Sequence, residues 1–127
     1  VSNPGLTKTR TAGGAIAGRR IVKHGASDGA VLQASAATDA LIGVSERLTV
    51  ASGERVDIVL SGLVEVDYGG NVTRGGPLTA DANGKAIAAA PAAGATMRII
   101  GFADVSGVSG DIGQVLIAPG FIQGEEA

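Results

Sequence analysis

An all-β fold is what this sequence predicts: a small β-barrel or sandwich with internal pseudo-duplication and an extended N-terminal arm. Three observations carry that expectation. Residues 53–70, GERVDIVLSGLVEVDYGG, alternate cleanly, with Val56, Ile58 and Leu60 on one face and Asp57 and Ser61 on the other. After Gly62, Val64 and Val66 oppose Glu65 and Asp67. Period-two alternation in β-branched residues marks a half-buried strand, or here two strands bent at Ser61-Gly62. The second observation is turn punctuation: Asp28-Gly29 and Asn83-Gly84 are strong hairpin signals. The third is a repeated order of segments. DGAVLQAS at 28–35 matches NGKAIAAA at 83–90, LIGVSE at 41–46 matches IIGFAD at 99–104, and the run from Gly53 matches that from Gly110, at offsets of 55 to 58 residues. Two units of this size, built of turns and short strands, fit one barrel or sandwich, whereas a solenoid needs more repeats.

Taken in order, residues 1–14 (VSNPGLTKTRTAGG) mix turn formers with Thr, Lys and Arg. They read as an extended arm, disordered alone or able to add a strand to a neighbouring sheet. Residues 15–127 read as a single β domain, with pseudo-repeats at about 20–72 and 76–124. Strands are expected at 20–23, 30–34 and 41–45, then in the run 53–70. Two alanine-rich stretches, 33–41 and 86–95, favour helix by intrinsic propensity. Pro91 and Gly94 limit the second to about two turns, too short to be stable alone, so strand followed by loop is expected in both.

The 127 residues suffice for one domain without disulfides or metals. The core is thin, because 22 of the residues counted as hydrophobic are alanine and the aromatics are only Tyr68, Phe102 and Phe121. At about 25 cal/mol per Å² of buried apolar area an alanine contributes little, so burial is expected to be completed against copies of the chain or a partner. The net charge of −2 conceals an asymmetry: residues 1–25 carry Lys8, Arg10, Arg19, Arg20 and Lys23 and no acid. A basic segment on an acidic body is either made to touch something acidic or is a solvated terminus.

The chemistry of catalysis is sparse. There is no cysteine and one histidine, His24, which reads as a surface residue at a strand end. No metal site is expected, since zinc would need His or Cys partners and the calcium-loop start at Asp81 lacks its later Glu. Asp57, Glu65 and Asp67 fall on the polar face of strands, where carboxylates meet water. No phosphate-cradling motif occurs, so neither catalytic nor cofactor-binding residues are assigned. Nucleic acid is disfavoured by the acidic body and the lack of aromatics near the arginines. No run approaches the length that spans a bilayer as a helix, so no membrane partner is expected.

The succession DGAVLQASAATDALIGVS, then ASGERVDIVLSGLVEVDYGGNVTRGGPLTADANGKAI, then RIIGFADVSGVSGDIGQVLIAPGFIQ resembles the small capsid cement, or head decoration, proteins of tailed bacteriophages. Within them it is similar to the family whose members begin with an arm of the N-P-x-L-T-K type, here Asn3-Pro4-Gly5-Leu6-Thr7-Lys8. The resemblance covers essentially the whole chain, and its specificity lies in the order of segments. It implies a non-enzymatic virion protein, made in the bacterial cytoplasm. It would sit on the outer surface of the capsid as a homotrimer at local three-fold positions and clamp neighbouring major capsid protein subunits. The charge asymmetry then nominates Leu6, Lys8 and Arg10 as arm contacts to the capsid, with Arg19 and Arg20 anchoring the arm's root. Deleting residues 1–12 is expected to abolish capsid binding and leave the β body folded. The alternative is a receptor- or glycan-binding adhesion module displayed on a phage particle.

Overall fold

β-branched residues between glycine-marked turns give strands throughout, and the computed structural model, which describes residues 3–124, has no helix among them. Residues 1–2 of the expected arm and 125–127 of the expected domain lie outside the described residues. The strands are β1 (Asn3–Pro4), β2 (Thr7–Ala12), β3 (Ile21–His24), β4 (Ala30–Gln33), β5 (Leu41–Ser45), β6 (Arg55–Val59), β7 (Gly62–Asp67), β8 (Pro77–Ala80), β9 (Ala86–Ala88), β10 (Thr96–Ala103) and β11 (Ile112–Gln123). Five close into a barrel in the order β2-β4-β3-β5-β6, and six form a sheet in the order β1-β7-β11-β10-β8-β9.

The two assemblies follow one course. In the barrel, β3 and β4 form a hairpin, β5 lies beside β3, and β6 beside β5. In the sheet, β8 and β9 form the hairpin, β10 lies beside β8, and β11 beside β10. Both hairpins turn on the dipeptides singled out in the sequence, with Gly29 at φ 78° and Gly84 at φ 73°, conformations that cost glycine nothing. β2 then flanks β6 as β7 flanks β11. The barrel is sealed by a parallel ladder, Thr11 to Ala30 and Ala12 to Val31, whereas the sheet has at that place a single parallel bridge, Tyr68 to Ala86.

Residues 53–70 do hold two strands, but the bend at Leu60-Ser61 hands the chain from barrel to sheet, so β6 and β7 do not pair with each other. Gly62 takes φ 87° at that corner, where a Cβ would press on the Asn3 carbonyl oxygen at 2.7 Å. The expected arm is part of the body. Residues 3–11 run antiparallel along this same bent stretch, β1 against β7 and β2 against β6, from Thr7–Val59 to Thr11–Arg55. The Ser61 hydroxyl accepts the Leu6 N–H (2.8 Å), and the Ser61 carbonyl accepts that of Gly5 (2.9 Å). A Thr-rich strand with an open ladder beside it in its own chain has a partner without reaching for a neighbour's sheet.

Two cores result. One fills the barrel with Ala12, Ile16, Val22, Val31, Val56 and Ile58. The other lies between barrel wall and sheet and joins Ile21, Val44 and Val59 to Val64, Val66, Tyr68, Leu78, Ile100 and Val115. Successive residues of a strand point to opposite faces. Hence Ile21 and Val22, or Ile58 and Val59, are both buried, each in a different core. The wall β3-β5-β6 is covered on both sides, and so a chain with few large side chains encloses two apolar volumes.

Neither alanine-rich stretch is helical. After β4, the Asp39 carboxylate accepts the N–H groups of Ser35 (2.8 Å) and Ala36 (3.0 Å) and pairs with Lys23 (3.3 Å), which holds residues 35–39 as a turn. Burial would raise the Asp39 pKa, but these hydrogen bonds and the Lys23 charge bring it below the usual carboxylate value.

Tyr68 is the largest fully buried side chain, and its hydroxyl donates to the Val105 carbonyl at 2.6 Å. Burial pushes its pKa above the ordinary 10.0, a hydrogen bond at the Gln114 backbone opposes this, and the charges of Asp104 and Asp111 add to the rise. The unfolded chain loses this proton near pH 10 and the native chain higher, so the contribution is complete below pH 10 and falls as pH rises through the native pKa. Tyr68→Phe should cost on the order of 1 kcal/mol at pH 7 by removing the buried hydroxyl's hydrogen bond to the Val105 carbonyl. In urea unfolding between pH 7 and 11, the gap between wild type and variant should narrow above pH 10. A constant gap would show that the phenol does not titrate with unfolding.

Candidate functional site

Of the five cations in residues 1–25, three are bound internally. Asp67 at the end of β7 holds two of them, Arg19 Nε on Oδ1 (3.0 Å) and Arg20 Nε on Oδ2 (3.2 Å), while Lys23 takes Asp39. Arg20 also donates to the Asn83 carbonyl (3.2 Å), as does Gln33 (2.8 Å), so the β8–β9 turn is gripped from the barrel. Arg19 reaches Asp67 from a left-handed backbone, φ 57°, uncommon outside glycine. These two arginines, expected at the root of an arm, are a clamp between barrel and sheet.

Lys8 and Arg10 stand apart from that clamp, on β2. Among the described residues no acid pairs with either. Strand register places Lys8 opposite Ile58 and Arg10 opposite Val56, on the face that ends in buried Ala12. Arg10 is therefore half-buried rather than displayed, and its Nε is buried without a hydrogen-bond acceptor. The other face of β2 is tied down: Thr9 donates to Asp57 (2.6 Å), and Arg55 donates to the Thr11 hydroxyl (2.8 Å). Lys8, Arg10 and Arg55 border a cavity of about 490 Å³ between β2 and the Asp28-Gly29 turn. Asp28 is its single acid. The two other cavities near this side carry mixed charge, Arg19 with Glu46, Arg47 and Glu65 in one, and Arg47 and Arg55 with Glu46 and Asp57 in the other. Leu6, just before β2, is 59% exposed although both its backbone polar groups are bonded to residues 60–61.

A second surface was not anticipated. Across four neighbouring strands Leu63, Leu116, Phe102 and Pro77 occupy consecutive register positions. Opposed residues share a face, so they form one apolar row, with Phe102 39% and Leu116 49% exposed. Ile112 is exposed on the same face of β11, separated from Leu116 by Gln114. The available signal was that residues 112–124 contain no charged side chain; a strand without charge on either face has a second face to cover.

The carboxylates do not assemble into a reactive group: Asp57 is bonded to Thr9 and Asp67 to two arginines. His24 is exposed at the end of β3. Among the described residues no three His, Cys, Asp or Glu side chains are grouped to hold a metal, and no helix is long and apolar enough to cross a membrane.

Compared with known proteins, residues 2–117 match a family model described as phage cement protein. Among solved structures, the chain is similar to that described as the head fiber gp8.5 N base in bacteriophage phi29. The TM-score is 0.65 at 18% identity, over 89% of this chain and 93% of that one, a likeness that speaks for the fold. The comparison with curated proteins gives no match.

Proposed function

Because the chain belongs to the phage cement protein family, structural proteins of the virion's outer capsid surface, we propose that it binds the assembled head as a homotrimer at local three-fold positions and clamps neighbouring major capsid protein subunits. The observation that carries this is that one β body presents two uncovered surfaces of different chemistry. Exposed Lys8 and Leu6, beside the cavity that Arg10 lines, face the shell, and the apolar row Leu63-Leu116-Phe102-Pro77 is where protomers meet. Arg19 and Arg20 serve the same end indirectly, by holding barrel and sheet as one unit. Three copies joined this way bind with the effective concentration of a trimer, so weak individual contacts suffice. A protein that binds the assembled shell and not its free subunits stabilises the shell by mass action.

Glycan or receptor adhesion finds less support, since none of the three cavities is lined by an aromatic side chain on which a sugar ring could stack. The purified protein added to expanded heads that lack it should saturate at a fixed number of sites and raise the temperature at which the shells rupture. Heads that rupture at an unchanged temperature despite saturation would exclude clamping. Phe102→Asp with Leu116→Asp should turn a trimer into a monomer by light scattering and weaken head binding.

A further inference from the structure

The cavity between β2 and the Asp28-Gly29 turn has the chemistry of a binding site in its own right. A buried guanidinium Nε–H with no acceptor costs on the order of 1–3 kcal/mol, and such a group in a folded protein calls for an explanation. Arg10 Nε is one of two buried side-chain polar atoms without a partner among the described residues. Arg10 also lines a cavity whose other charges are Lys8, Arg55 and the single acid Asp28. Arg55 is oriented by its bond to the Thr11 hydroxyl, and the one nearby acid on β6, Asp57, is engaged by Thr9. The site thus has three cations to one acid, with Arg55 held by Thr11.

We propose that this cavity receives an aspartate or glutamate side chain from an acidic segment of the capsid protein, with Arg10 and Arg55 as hydrogen-bond donors and Lys8 as the cation at the mouth. This rests on the cement function proposed above and names the chemistry by which that partner is recognised. A planar guanidinium matches a carboxylate in a way an ammonium cannot. A volume of about 490 Å³ admits one or two side chains. Asp28 on the rim and the acidic remainder of the chain oppose a polyanion such as nucleic acid, which would also find no aromatic to stack on.

Two measurements test the site. In the first, the ¹⁵N-labelled protein is titrated with acetyl-Gly-Glu-Glu-Gly-amide, its Gln counterpart and inorganic phosphate. The Glu peptide should shift the Arg10 and Arg55 Nε–H and Gly29 N–H resonances, weakening with added salt, and the Gln peptide should not. No shift with the Glu peptide, or an equal one with phosphate, overturns a carboxylate-specific site. In the second, Arg10→Gln and, separately, the exposed Lys8→Gln are titrated onto expanded heads after thermal unfolding has shown them folded. Each should bind about 10- to 100-fold more weakly than wild type, the range a lost charged hydrogen bond produces. Unchanged head binding by folded Lys8→Gln and Arg10→Gln overturns the site and leaves the cement function standing. Wild type that fails to bind heads overturns the cement function, while the peptide titration still decides whether the cavity takes a carboxylate.

Discussion

A chain lacking residues 1–12 should have no cooperative unfolding transition, and it should associate through its open sheet edges. That segment contains β2, which supplies the antiparallel ladder to β6 from Thr7 to Thr11 and the parallel closure onto β4. Without it the barrel opens, two strand edges lose their partners, and Val56 and Ile58 lose the cover of Ala12. Domains of this size are stable by only about 5–15 kcal/mol, so losing a barrel strand removes most of that margin. Exposed edges are also templates for pairing between chains. Urea unfolding followed by far-UV circular dichroism, with light scattering on the same sample, is the check. A truncated protein that unfolds cooperatively at a urea midpoint close to that of wild type would show β2 to be an appendage. Head binding by the truncation is uninformative about capsid contacts, because those contacts and the barrel share one strand; single substitutions at Lys8 are the cleaner probe.

Gly113→Val should be strongly destabilising. Gly113 lies on β11 opposite Val66, and its backbone is covered by the ring of Tyr68: a Cβ there would land on the ring carbons and hydroxyl. The ring is held in place, since it is fully buried and its hydroxyl is bonded to Val105. Overpacking a rigid core site costs about 1–3 kcal/mol, and displacing the buried hydroxyl adds a further 1–3 kcal/mol, so a loss of about 2–6 kcal/mol and a Tm drop of roughly 10 °C or more are expected. Gly120→Ala is the control on the same strand. Nothing lies within 4 Å of its Cβ position and its φ is not positive, so it should change stability by less than about 0.5 kcal/mol. Equal effects from the two substitutions would show that strand propensity, and not the Tyr68 ring, sets the cost.

Local features of this fold were legible from the chain. The alternation in residues 53–70 marked β6 and β7 and the bend between them, because burial on one face leaves its mark at every second residue. Both hairpins sit at the turn dipeptides, since a positive φ demands glycine there. Long-range pairings were not legible. Arg19 and Arg20 read as basic arm-root residues because nothing in residues 15–25 announces Asp67, 47 or 48 positions away. Residues 1–14 read as an arm because a short Thr-Lys-Arg strand carries no apolar alternation of its own; its pairing is fixed by the open edge of β6. The same blindness hid the inward register of Arg10, which depends on the parity of a partner strand. The apolar row of Leu63, Leu116, Phe102 and Pro77 needs four registers at once.

For the central claim, electron cryo-microscopy of the phage head that carries this protein is the most direct measurement. Discrete external density is expected at local three-fold positions, three copies to a site, with β2 and its cavity against the shell and the row through Phe102 and Leu116 buried between protomers. Heads without such density, or density in which β2 faces solvent and the row is bare, would contradict it.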